Sequence, residues 1–185
     1  MKKLTVTSLV ATLLAIVHFA HAQEAPQMPQ PTKEHAWLQK FAGTWDYEVE
    51  VFMEPGKPPM KAKGTEVARM IGGFWVIGES QGDMGGMTFI NVTTFGYDPG
   101  KKKYVGTAID SGSSTLWQYE GTVDASGKLL TFETEGPCPM RGGRMTKFRQ
   151  VVEFKSNDQR VFTASSLGDD GKWTTNVIVN SRRKK

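Results

Sequence analysis

A chain of 185 residues with 38% hydrophobic side chains has enough apolar material for one packed domain. Its formal charge of +4 comes from 23 basic and 19 acidic residues, and four of the basic ones, Arg182, Arg183, Lys184 and Lys185, close the sequence as a tail that could touch an anionic partner but is read as a solvated end; the remaining charges are interspersed, which excludes a basic patch elsewhere for nucleic acid or anionic membrane. A single cysteine, Cys138, excludes an internal disulfide.

The first 22 residues have the layout of a secretory signal peptide. Lys2 and Lys3 precede an apolar run from Leu4 to Ala20, and Ala20-His21-Ala22 forms a small-x-small cleavage step before Gln23. The run is short for a membrane span of about 20 residues, and a lipid anchor would need a cysteine at the new N-terminus. The expectation is an exported protein, periplasmic or extracellular, soluble after cleavage, with no integral membrane segment and 21 basic against 19 acidic residues. Residues 23–31, "QEAPQMPQP", read as an extended Pro/Gln-rich tether. Residues 32–185 are expected to form one domain.

Thr32 can cap a short helix, "KEHAWLQKF", in which Trp37, Leu38 and Phe41 lie at helical spacing. From Trp45 onward the period is two. Trp45, Tyr47, Val49, Val51 and Met53 alternate with Asp46, Glu48 and Glu50; later, Thr146, Phe148, Gln150, Val152 and Phe154 alternate with Lys147, Arg149 and Glu153. Turn-forming stretches such as "EPGKPP", "YDPGKKKY", "DASGK", "KSNDQ" and "GDDGK" separate about ten strands. Strands joined by short loops pair antiparallel, and with one buried face they must close or stack to hide their edges. The fold expected is all-β: an antiparallel up-and-down barrel of about ten strands with one short N-terminal helix.

In such a barrel the first strand enters beneath the floor. Gly43 permits a sharp turn out of the helix, and Trp45 supplies a ring to plug that end. Arg182 and Arg183, at the end of the last strand, are placed to back the ring with a guanidinium.

The segments "WLQKFAGTWDYEVEV", "PPMKAKGTE", "IGGFWVIGE", "GYDPGKKKYVGT", "LWQYEGTVD", "LTFETEGP" and "LGDDGKW" together resemble a family of exported bacterial proteins classed as a domain of unknown function. That family is similar in turn to the calycins, which include the lipocalins and fatty-acid-binding proteins; this likeness is carried by Gly43, Trp45, the closing arginines and the strand count. The resemblance implies a calycin-like barrel and no assigned activity. The fatty-acid-binding members carry a helical lid between the first two strands, where this chain has only "EPGKPP".

Candidate chemistry is sparse. His18 and His21 leave with the signal peptide, and His35, read as lying on the solvated face of the helix, is far in sequence from Cys138, which speaks against a nucleophile–base pair; a three-histidine or His-Cys metal site cannot be assembled, and the protein is read as a non-enzyme without cofactor or metal, an enzyme using carboxylates or Cys138 ranking last. Cys138 lies near Arg141 and Arg144, which could lower a thiol pKa, or is an incidental loop cysteine. Met84, Met87, Met140 and Met145 lie in or beside glycine-rich loops; they suit copper(I) or, more ordinarily, gap filling. Of the strand carboxylates Glu66, Glu79, Glu120, Glu133 and Glu135, an inward-facing acid/base pair is the functional reading and a solvated outer face the ordinary one. The inner face is read as Trp45, Val49, Phe148 and Val177 with polar Tyr47, Thr146, Gln150, Thr163 and Thr175 among them. The polar groups imply either cross-strand bonds in a filled barrel or a cavity with a bound molecule. The leading reading is non-catalytic binding of a small, partly apolar molecule, with Tyr47 and Gln150 orienting its polar end and Trp75 and Trp117 packing its body. The alternative is a filled barrel serving as a structural or protein-interaction module in the cell envelope, with loops such as "GDMGGM" as its contact surface.

Overall fold

The computed structural model describes residues 28–54 and 56–185. The signal peptide (1–22) and most of the tether (23–31) lie outside the described residues.

A one-turn helix α1 (Lys33–Trp37) tightens into a 3₁₀ turn (Leu38–Phe41), and ten strands follow: β1 (Gly43–Val51), β2 (Met60–Ile71), β3 (Trp75–Met84), β4 (Met87–Asp98), β5 (Lys103–Asp110), β6 (Trp117–Val123), β7 (Leu129–Cys138), β8 (Arg144–Ser156), β9 (Gln159–Leu167) and β10 (Trp173–Arg183). A second 3₁₀ turn, Pro139–Arg141, links β7 to β8. Each strand pairs antiparallel with its sequence neighbours, and β1 pairs with β10, so the sheet closes as an up-and-down barrel. Closure removes the open edges that ten short-looped strands would otherwise expose.

The helical segment is too short to be stable alone and is held by what it touches. Thr32 stands at its N-cap in a capping box, whose reciprocal arm is the Thr32 N–H donating to Nδ1 of His35 over 3.0 Å. His35 does not sit on a solvated face. It is only 4% exposed, edge-on to Phe74 and Tyr97, because the segment lies against one end of the barrel. Trp37 packs on Tyr104 and Phe154 and donates from Nε1 to the Gly127 carbonyl at 2.9 Å. Tyr104 in turn donates to the Glu34 carbonyl. Leu38 and Phe41 of the segment join Val76, Leu130, Phe132 and Phe154 in the dense core, so this end is sealed.

The period-two reading holds along β8, where Thr146, Phe148, Val152 and Phe154 are buried and Gln150 faces the interior. It fails at Thr163 and Thr175. Arg160, Phe162 and Ala164 point inward, so Thr163 takes the outer face. In β10 a bulge between Thr175 and Val177 shifts the register, with the result that Thr175 pairs with outward Ser165 while the extra residue, Asn176, is buried.

Candidate ligand-binding site

The floor of the barrel is built around Trp45, which is 0% exposed. Its Nε1 donates to the Phe41 carbonyl at 2.8 Å. Two guanidiniums lie over the same ring, Arg183 at 4.2 Å and Arg160 at 4.3 Å from its centre. Arg183 also donates to the carbonyls of Ala42, Lys40 (3.1 Å) and Asn157 (3.1 Å), tying the last strand to the turn that precedes the first. Gly43, at φ +127°, has Arg183 where a side chain would stand. Gly43, Trp45 and Arg183 thus meet at this floor. Arg182 does not take part: alternation along β10 sends it outward, opposite Asp46.

Above this floor the interior is not filled. A cavity of about 380 Å³ runs between the strands, bounded by Val49, Phe89, Phe95, Trp117, Phe132 and Phe162 among others. Its volume lies near the lower end of the roughly 300–1,000 Å³ spanned by small-molecule sites. Of the four candidate binding residues, Tyr47, Trp117 and Gln150 line it. Trp75 does not. It is 44% exposed on the outer face, its ring laid over Gly96, because the odd positions of β3 face solvent there.

Glycines make the interior possible by letting aromatic rings lie flat on neighbouring strands. The ring of Trp117 covers Gly136, and that of Tyr47 covers Gly64 with its hydroxyl reaching over Gly82; a β-carbon at Gly64 or Gly136 would collide with the ring. Burial pushes the Tyr47 hydroxyl above its usual pKa, with the Glu66 charge adding and the Ser80 hydrogen bond opposing. Tyr119 accepts a hydrogen bond from Gln150 Nε2 at 3.3 Å. Burial carries Tyr119 up to about 12; the Gln150 bond works against the shift, and the Asp110 charge works with it.

Arg160 is missed by the sequence reading, and Glu66 is there given a solvated outer face as its ordinary state. Arg160, 5% exposed, donates from Nη2 to Glu66 at 2.6 Å, and both side chains line the cavity at its floor. Gly78 leaves the space in which the Glu66 carboxylate lies. The signal was present: Glu66 is in phase with Ala62, Gly64 and Ala68, while Lys61, Lys63, Thr65 and Arg69 are out of phase. Glu120 and Glu133 do face outward, paired with Lys101 and Lys103 and with Arg149.

Cys138 is 0% exposed at the end of β7, unlike the accessible thiols that react, and Arg141 and Arg144 are both engaged by Asp169. Met84 lies at the mouth of the cavity, whereas Met87, Met140 and Met145 are exposed around it. Among the described residues no group of three or more His, Cys, Asp or Glu side chains is placed to hold a metal, and no helix is long and apolar enough to cross a membrane.

The model of a family described as "Protein of unknown function (DUF1579)" matches residues 30–183. The chain belongs to this DUF1579 family. Among solved structures, the DUF1579 chain is similar to Rv2717c from M. tuberculosis, with 10% identity and a TM-score of 0.61 over 84% of this chain and 100% of that one; at that identity the likeness concerns the fold alone. A redesigned β-barrel, mFAP0, bound to DFHBI also aligns, at 12% identity over 78% of this chain and 100% of that one, but its TM-score of 0.43 is too low to bear on this protein. Comparison with curated proteins gives no match.

Proposed function

We propose that this DUF1579 protein is an exported, calycin-like barrel that binds a small, partly apolar molecule inside its cavity without converting it. The observation that carries the reading is the interior space of about 380 Å³, walled mostly by apolar side chains, with polar Tyr47, Glu66, Ser80 and Arg160 gathered toward its sealed end. Sites for small molecules share this character of an apolar wall with a few converging polar groups. Tyr47 and Gln150 orient the polar part and Trp117 packs the body, while Gly43, Trp45 and Arg183 hold the base rigid. Export is supported by the pattern of residues 1–22, and calycin kinship by the Gly-x-Trp step with its stacked arginine.

A second reading, a protein-interaction module, draws on the exposed Met87, Met140, Met145 and Leu116 beside the open end. Native mass spectrometry of protein taken from its own host, without heating or dialysis, separates the two. Binding inside the barrel gives an adduct of small-molecule mass; a bare mass, with no ligand-induced rise in melting temperature, leaves the interaction module.

A further inference from the structure

The charges at the cavity floor cancel before any ligand arrives. Arg160 is the only cation lining the cavity among the described residues, and Glu66 already neutralises it at 2.6 Å. The pair is enclosed: their side chains are 6% and 22% exposed, and the guanidinium is flanked by the rings of Trp45 and Phe41. Two further carboxylates line the cavity, Asp83 and Asp110, but they stand at the ends of β3 and β5 toward the open mouth and not at the floor.

Hydrogen-bonding capacity remains after this cancellation. A guanidinium has five N–H donors, and Glu66 is the one hydrogen-bond acceptor of Arg160 among the described residues. Ser181, the register partner of both Tyr47 and Arg160, and Ser80, the register partner of Glu66, bring hydroxyls to the same wall. The floor thus offers donors and acceptors together and no net charge.

We infer that the molecule held in this cavity ends in an uncharged group that both accepts and donates hydrogen bonds, such as an alcohol, a phenol or a primary amide, and that carboxylate-ended amphiphiles are selected against. The inference rests on the cavity reading above. A neutral oxygen can accept from Arg160 while its own O–H or N–H donates to Glu66, and the ion pair survives. A carboxylate must share Arg160 with Glu66, so that a third charge is buried with no counter-charge of its own, and the two carboxylates repel. An ammonium meets the converse problem at Arg160.

Titration calorimetry with four probes of equal chain length, octan-1-ol, octanamide, octanoate and octylamine, tests this near neutral pH. The alcohol and the amide are expected to bind at least about 10-fold more tightly than octanoate and octylamine. In Glu66→Gln, where Arg160 is left with an unmatched charge, octanoate should gain about 10-fold or more while octanamide changes little. Octanoate or octylamine binding most tightly to the unaltered protein overturns the inference, as does a folded Glu66→Gln protein with unchanged octanoate affinity. Should that variant fail to fold, the order of the four probes on the unaltered protein decides alone. If none of the four binds, the cavity reading itself falls, and the inference with it.

Discussion

Arg183 covers one face of Trp45 at 4.2 Å, joining the end of the last strand to the start of the first. The contact closes the barrel at the point where its two terminal strands meet, and Arg160, which lines the cavity, lies over the same ring. The ring therefore contacts both a structural arginine and one that faces the cavity. Removing Trp45 should be felt by both. Trp45→Ala is expected to cost about 3–5 kcal/mol, as for other large buried rings, measured by urea unfolding with an unchanged slope.

The two terminal arginines should behave differently. Arg183→Ala removes the bonds to Lys40, Ala42 and Asn157 and should cost about 2–3 kcal/mol, in the range for hydrogen bonds from a charged group. Arg182→Ala, on the outer face, should stay within about 0.5 kcal/mol. Equal losses in paired unfolding curves would show that the closure has been assigned to the wrong side chains.

Gly136 is the seat of the Trp117 ring. Gly136→Ala should lift that ring into the cavity, shift the tryptophan emission and lower stability by about 1–3 kcal/mol, the usual cost of overpacking. Fluorescence and thermal unfolding of the single variant would check both effects; an unaltered spectrum would mean that the ring does not rest there.

The barrel was legible because alternation and turn residues act locally: β1 and β8 show their buried faces in single residues, and the Gly43-x-Trp45 step marks the floor. What remained hidden depends on non-local or irregular geometry. The bulge at Asn176 inverts the phase for Thr175, which no turn residue announces. Trp75 is an aromatic in a strand, and its outward face is fixed by pairing with Gly96 of β4. Arg160 and Glu66 are 94 residues apart; alternation along β2 turns Glu66 inward, but only the closed sheet supplies Arg160 as its partner. His35 is buried by Phe74 and Tyr97, which the helix pattern alone cannot place.

Alkali should unfold the protein through its buried phenols. Burial raises both Tyr104 and Tyr119 to about 12, above the value of about 10 for an exposed phenol. The folded state then holds protons that the unfolded chain releases, so this contribution is complete below about pH 10 and is lost as pH rises toward 12. A spectrophotometric titration should show these two phenolates forming together with loss of the fold. Ionisation near pH 10 with the barrel intact would contradict their burial.

Cys138 should be inert while the barrel is folded, because it is 0% exposed. An aromatic disulfide reagent is expected to label it at once in denaturant and only slowly in native buffer. Rapid labelling of the native protein would restore a reactive thiol to consideration.

The most direct test fills the cavity. Ala164 lines it from β9, 9% exposed, beside Gln150 and Val177, and Ala164→Phe would place a ring inside it. Unaltered and variant proteins, purified in parallel from the native host, would be extracted with organic solvent and the extracts compared by mass spectrometry. Occupancy of the barrel predicts a small molecule at about one per chain in the unaltered protein and its loss from the folded variant. The same compound in equal amount from both, or nothing from either, would contradict it.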